Sequence, residues 1–206
     1  MITIVDYGLG NIRAFSNMYK RMNVETRVAT NAEQLGNATK IILPGVGAFD
    51  HAMESLQASG MRATLDKLVL EKSVPVLGIC VGMQILADGS DEGRLPGLGW
   101  VSGRVRSFRS AAAAPGADLP LPHMGWNNVR PIRGLELFKG MEAEPRFYFL
   151  HSFYFECASQ DGVAATATYG IDFECAIHSA NIYGVQFHPE KSHHCGAALL
   201  RNFADL

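Results

Sequence analysis

Short apolar runs divide the first half of the chain, and helical spacing fills the gaps between them. "ITIV" (2–5) ends in the turn-rich "DYGLGN". Asn11 can then cap a helix whose apolar positions Ile12, Phe15, Tyr19 and Met22 recur at helical intervals. "ETRVAT" reads as a second strand, and "KIILPG" as a buried third one ended by Pro44 and Gly45. Helical signals run from about Phe49 to Lys72 with a break near Gly60, and "VPVLGI" is a fourth strand. Strands alternating with helices predict right-handed crossovers, hence an α/β fold with a mostly parallel central sheet and helices on both faces.

The second half reads differently. "WVSGRVRSF", "WNNVRPI", "RFYFLHSFYF", "VAATATY", "FECAIHS" and "IYGVQF" are rich in β-branched and aromatic residues and separated by turn residues. They predict added antiparallel strands, followed by a last helix over about Ser192 to Asp205. "SAAAAPGADLPLP" (110–122) is of low complexity and reads as a mobile surface loop. No internal repeat is visible. A chain of 206 residues is long enough for one domain with a proper core, so residues 1–206 are expected to form a single domain.

Composition narrows the function. With 18 basic against 20 acidic residues there is no basic stripe for nucleic acid. No run approaches the roughly 18 apolar residues of a membrane span. "MITIVDYGLGN" lacks the basic start of a signal peptide. Cys80, Cys157, Cys175 and Cys195 are widely spread, with no C-x-x-C pair. The expectation is a cytoplasmic protein with reduced thiols, bound neither to nucleic acid nor to a membrane.

"GICVG" (78–82) has the form G-x-C-x-G, a nucleophile elbow with Cys in place of Ser. Flanking glycines let the chain reverse sharply from strand to helix. The turn would present Cys80 at the sheet edge, facing the N-terminus of the next helix, whose partial charge favours a thiolate. The Val81 N–H points the same way and can donate to an oxyanion. The pentapeptide alone leaves open a second reading, a small buried thiol.

A nucleophilic thiol needs a base. In "GVQFHPEKS" (184–192) a strand-like run leads into His188, Pro189 and Glu190. The residue before proline is held extended, and positions i and i+2 of an extended segment share a side. His188 and Glu190 can therefore face one cleft, the carboxylate holding the imidazole's tautomer. "HPE" alone favours a surface histidine beside an exposed glutamate; joined to "GICVG" it favours a Cys–His–Glu set. His193 and His194 are adjacent and would diverge, and no second ligand pair has zinc-like spacing, so no metal is expected. "LPGVGAFD" (43–50) ends the third strand, where parallel sheets gather ligands. Gly45 and Gly47 would let a backbone N–H approach a substrate, and one near Val46 or Gly47 could complete the oxyanion hole. Neither this stretch nor "GLGN" has a phosphate-loop pattern.

Together "DYGLGN", "LPGVGAF", "GICVGMQ", "PHMGWN", "YFLHSFY" and "GVQFHPEKS" resemble the class I, triad-type glutamine amidotransferases along nearly the whole chain. Within them the resemblance is closer to the glutaminase subunits that serve imidazole glycerol phosphate synthesis in histidine biosynthesis. It implies a catalytic triad of Cys80, His188 and Glu190. Cys80 would attack the side-chain amide of glutamine and form a thioester. It further implies that Gly45, Gln84, Glu92 and the segment His151, Ser152 and Phe153 contact bound glutamine, and that no cofactor is needed. The partner it implies is a (β/α)8-barrel cyclase, joined as a heterodimer through Met124, Gly125, Trp126, Asn127 and Lys191, which receives the ammonia through a channel. Trp126 could also be an ordinary core tryptophan. The glutaminase would idle until the partner holds its ligand, with the glycine strand as switch. Gly45→Ala or Gly47→Ala should then impair turnover more than folding. Two departures are visible: Val81 stands where leucine is more usual, and residues 111–120 look like an insertion. The alternatives are a glutaminase serving another synthase, such as anthranilate or pyridoxal phosphate synthase, a stand-alone cysteine amidohydrolase, and a module that kept the fold without activity.

Overall fold

The computed structural model describes residues 1–111, 119–132 and 134–206. The first half follows the expected alternation. β1 (Ile2–Val5), α1 (Ile12–Arg21), β2 (Thr26–Ala29), α2 (Ala32–Leu35), β3 (Ile41–Gly45), α3 (Phe49–Ala58), α4 (Arg62–Asp66) and β4 (Val76–Cys80) occur in that order. Asn11 caps α1, its side-chain oxygen accepting from the Ala14 N–H at 3.3 Å. The helical stretch expected from Phe49 to Lys72 divides at Gly60, whose φ is +70°, and α4 runs on into a single π-helical segment, Lys67–Glu71. Pro44 lies inside β3 rather than ending it.

β1 to β4 pair in the order β2-β1-β3-β4, all parallel. The chain moves one way from β1 to β2 and the other way from β3 to β4. Right-handed crossovers therefore put α1 on one face and α3 and α4 on the opposite face. Ligands gather where strand order reverses, beyond the carboxyl ends of the strands, and that edge carries Gly45 and Cys80.

After β4 come α5 (Val81–Gln84), β5 (Gly89–Ser90), β6 (Gly103–Ser107), α6 (Phe108–Ala111), β7 (His123–Asn128), β8 (Arg130–Pro131), β9 (Arg146–His151) and β10 (Phe153–Cys157). β11 (Val163–Tyr169), β12 (Ile171–Ser179), β13 (Ile182–Val185) and α7 (His193–Asp205) complete the chain. Most of these strands are antiparallel as expected, with two corrections. The run "RFYFLHSFYF" is two strands, split at Ser152: β9 pairs with β7 in a separate two-stranded sheet, and β10 joins the main one. β13 is antiparallel to β12 but parallel to β4, so it extends the parallel core. The register places Gly184 against Gly78 and Val185 against Ile79. One step further along lie Gln186 and Cys80. Most of the alanine-rich segment read as a mobile loop, residues 112–118, lies outside the described residues.

One hydrophobic cluster links both halves, from Ile2 and Phe15 through Phe49, Phe155 and Phe187 to Phe203. No helix among the described residues is long and apolar enough to cross a membrane. At the elbow the packing leaves no room for a side chain. A Cβ at Gly82 would overlap the Leu43 carbonyl oxygen and lie 2.9 Å from the carbonyl carbon. Both neighbours are backbone of a central strand and cannot swing aside. Gly82→Ala is expected to cost about 3 kcal/mol or more, read as a fall in the midpoint of urea unfolding.

Candidate active site

β4 delivers Cys80 to the edge of the sheet and holds it at φ +56° and ψ −114°, outside the regions an L residue prefers. A strained residue between strand and helix is the elbow that "GICVG" requires. The helix it opens, however, spans only Val81–Gln84. Four residues add few aligned peptide dipoles, so the helix N-terminus contributes less to a thiolate than the sequence suggested.

The segment after β13 brings His188 and Glu190 to the sulfur's side. His188 donates its backbone N–H to the Tyr148 carbonyl at 2.8 Å. Ser192 clamps the same segment: its hydroxyl donates to the His188 carbonyl at 2.6 Å and accepts the Tyr148 N–H at 2.9 Å. Glu190 Oε1 lies 2.9 Å from His188 Nδ1, with both side chains only 4% exposed. A carboxylate only accepts, so Nδ1 carries the proton and Nε2 is left for Cys80. Burial pushes the imidazole down, but its contacts with the Cys80 sulfur and Glu190 outweigh that, and His188 is pushed up to about 10. Those contacts favour the protonated imidazole beside the sulfur.

Cys80 and His188 face a cavity of about 290 Å³. Its walls include Val46, Gly47, Val81, Gln84 and Glu92. His151, Ser152 and Phe153, also expected, line it too, and Lys191, Pro122 and Leu150 join them. That volume is near the lower bound of ligand clefts and suits a metabolite of amino-acid size. Glu190 stands behind His188. Among the described residues no three His, Cys, Asp or Glu side chains converge as a metal site. His193 stacks on Trp126 (5.2 Å between ring centroids), and His194 Nε2 lies 3.4 Å from Cys195 Sγ.

Packing gives some of the expected residues structural roles as well. Gly45 is not in the cavity wall; a Cβ there would overlap Gly82 N and lie 2.9 Å from the Val81 carbonyl carbon. Gly47 has open space around it but sits at φ +95°. The two glycines therefore separate: Gly45 is required by packing, Gly47 by conformation. Glu92 lines the cavity and also accepts the Phe49 N–H at 2.9 Å, while Asp50 accepts the Arg94 and Leu95 N–H groups. The two carboxylates clasp α3 to the 92–95 turn. Tyr7, unforeseen, donates its hydroxyl to the Pro44 carbonyl at 2.8 Å and braces the end of β3.

On β7, Met124 is 65% and Trp126 41% exposed, so Trp126 is not a core residue. They pair across the strands with Leu150 and Tyr148. Lys191 Nζ lies 5.6 Å over the Tyr148 ring. Asn127 points the other way and, itself half-buried, leads into a buried pair of histidines. Its Nδ2 lies 2.9 Å from the Thr168 carbonyl and 3.3 Å from His123 Nε2. His123 Nδ1 lies 3.0 Å from His151 Nε2, and His151 Nδ1 lies 2.7 Å from the Phe153 carbonyl. A carbonyl can only accept, so His151 donates from Nδ1, His123 donates from Nδ1 in turn, and Asn127 donates to His123.

The family described as glutamine amidotransferase class-I matches residues 3–206. The chain belongs to the class-I glutamine amidotransferases. This amidotransferase is 61% identical to the imidazole glycerol phosphate synthase subunit HisH of Bdellovibrio bacteriovorus, over 206 residues and 100% of both chains. It is 51% identical to the subunit of the same name from Leptospira interrogans, again over 100% of both. A crystal structure of a glutamine amidotransferase superposes with a TM-score of 0.75 at 20% identity, covering 100% of this chain and 99% of that one, and so has the same fold.

The histidine chain gives the amidotransferase a pH signature. Burial pushes His123 down to about 4 and His151 to about 3. Above the ordinary histidine value both are neutral, folded or unfolded, and contribute no slope. As pH falls from about 6.5 towards 4, the unfolded chain takes up protons that the folded one refuses, so stability is lost. His123 stacks on Phe149 and Tyr169, at centroid distances of 4.9 and 4.0 Å. His123→Phe keeps that stacking without the titration. It should lose about 1–2 kcal/mol less stability than the parent between pH 7 and pH 5, measured by urea unfolding at each pH.

Proposed function

We propose that this chain is the glutaminase subunit of an imidazole glycerol phosphate synthase, a single domain that hydrolyses glutamine at Cys80. The observation that carries the reading is the meeting of a strained Cys80 with the His188–Glu190 pair in one amino-acid-sized cavity. Full-length identity to subunits named HisH supports the choice of synthase.

In the proposed mechanism the Cys80 sulfur attacks the side-chain carbonyl carbon of glutamine. A C–S bond forms, and negative charge develops on the oxygen. The Val81 N–H and an N–H of the Val46–Gly47 segment receive that charge. As the C–N bond breaks, His188 gives its proton to the departing nitrogen, which leaves as ammonia. Water then attacks the thioester, and His188 takes its proton. The C–S bond breaks, and glutamate leaves with the thiolate–imidazolium pair restored. Glu190 keeps Nδ1 protonated throughout, so that Nε2 is the atom that moves protons. Gln84, Glu92 and the 151–153 segment bind the rest of glutamine.

The partner we propose is a (β/α)8-barrel cyclase. Met124, Trp126 and Leu150 offer it an exposed apolar face beside the cavity mouth, with Gly125 and Asn127 shaping the strand and Lys191 at the rim. That face favours a subunit over a stand-alone amidohydrolase. The proposed setting is the cytoplasm, where four free cysteines stay reduced.

The test is glutamate release by the purified chain, alone and with a barrel cyclase of the same organism carrying its ribulosyl phosphate ligand. Strong stimulation that disappears with Cys80→Ala is expected; unchanged turnover in that variant would remove Cys80 from the chemistry. Gly47→Ala should lower stimulated turnover about tenfold or more with a smaller change in thermal midpoint. Gly45→Ala should lose stability first, because its Cβ meets backbone.

A further inference from the structure

Gln186 lies two residues before His188 and is fully buried. Its Nε2 is 3.8 Å from Cys80 Sγ. We propose that Gln186 is a catalytic residue whose side-chain N–H holds the Cys80 thiolate, and that Gln84 acts as a positioning residue by fixing which end of that amide faces the sulfur. This rests on Cys80 being the nucleophile.

An amide can face a sulfur with its oxygen or its nitrogen, and only the nitrogen helps a thiolate. The surrounding bonds decide which. Gln84 Nε2 lies 3.2 Å from the Phe153 carbonyl, which can only accept, so the Gln84 nitrogen faces that way. The same Nε2 lies 3.0 Å from Gln186 Oε1 and donates its second proton there. With its oxygen held by Gln84, Gln186 must turn its nitrogen to Cys80. The Phe153 carbonyl is itself fixed by His151, and so by the chain that begins at Asn127.

The sulfur needs such a donor. The Leu150 carbonyl oxygen lies 4.0 Å from it, a dipole that opposes negative charge. The helix after Cys80 is too short to compensate. The titratable groups around the sulfur are His188, Tyr7, His151, Glu92 and Lys191. Of these His188 must give up its proton during turnover. The Gln186 N–H is a neutral donor that cannot be spent, and it offers charge-assisted bonding each time the thiolate re-forms.

The measurement is the pH dependence of Cys80 alkylation by iodoacetamide, followed on the Cys80 peptide by mass spectrometry in the intact chain. Reading that peptide excludes labelling at Cys157 and Cys195. Gln186→Met keeps length and removes the donor; its half-maximal alkylation pH should rise by about one unit. Its kcat should fall about tenfold with little change in KM. Gln84→Met removes the donor that holds the Gln186 oxygen without adding a charge, so the Gln186 amide no longer has its nitrogen fixed toward the sulfur. It should raise the alkylation midpoint as well, and it decides the matter where Gln186→Met does not fold. A midpoint equal to the parent's in a folded variant would overturn the proposal. Cys80→Ala tests the nucleophile separately: turnover surviving there sinks the underlying reading, whatever Gln186 does.

Discussion

Parallel pairing of β13 with β4 is the contact on which the site depends. The two strands are about a hundred residues apart in sequence, and neither carries a complete reactive set. Set side by side in the register Gly184–Gly78 and Val185–Ile79, they end level with each other. The residues that follow β13 then arrive beside Cys80. Two glycines face each other in that register, and a Cβ on Gly78 would lie 2.6 Å from the Gly82 carbonyl oxygen. A Cβ on Gly184 would lie 2.7 Å from the Met83 side chain, so both glycines stay bare where the elbow folds back over the strands. A slip of one residue would turn Gln186 and His188 to the far side of the sheet, because side chains alternate.

Once the strands are paired, burial sorts the histidines. His188 meets a carboxylate and a thiol, and those contacts overcome desolvation. His151, a short distance along the same cavity wall, meets a carbonyl and another neutral imidazole, and burial prevails. One imidazole is kept ready to carry charge and the other is kept from it. The neutral pair can therefore serve as fixed dipoles, with each ring's tautomer dictated by the next, while His188 is the ring poised for the proposed proton transfer. This division would fail if both rings were exposed, since water would supply donors and acceptors to either.

The first-half strands could be read from sequence because strands buried on both faces leave near-continuous apolar runs with clear ends, as "ITIV" and "VPVLGI" do. The meeting of Cys80 with His188 and Glu190 is legible for a similar reason: an elbow needs its glycines, and a proline holds its neighbour extended. What sequence could not give was pairing. "RFYFLHSFYF" has no breaker, since Ser152 is an ordinary strand residue, and only the separation of β9 from β10 into two sheets exposes the break. "IYGVQF" has the composition of either strand sense, so its parallel place beside β4 had no local signal. Gln186 was passed over because a glutamine among apolar residues looks like the solvent face of a strand. Its alternation with His188 was the available clue, since i and i+2 share a side. The early end of α5 at Gln84 has no local signal, because "VGMQILA" keeps helical spacing beyond the point where the backbone leaves the helix.

The β7–β9 ribbon shows why a glutaminase of this design is suited to working with a partner. Leu150 belongs to two surfaces at once. Its side chain is exposed and paired with Met124, while its carbonyl looks inward at the Cys80 sulfur. The next residue, His151, is buried and ends the imidazole chain that starts at Asn127 on the neighbouring strand. Alternation along one extended strand thus puts the proposed docking face and the cavity wall on successive residues, with no intervening layer. Anything that seats on Met124, Trp126 and Leu150 bears directly on the backbone that surrounds the thiol. An exposed ribbon that doubles as the cavity wall suits the subunit role proposed above, because whatever seats on it touches the same strand that faces the thiol.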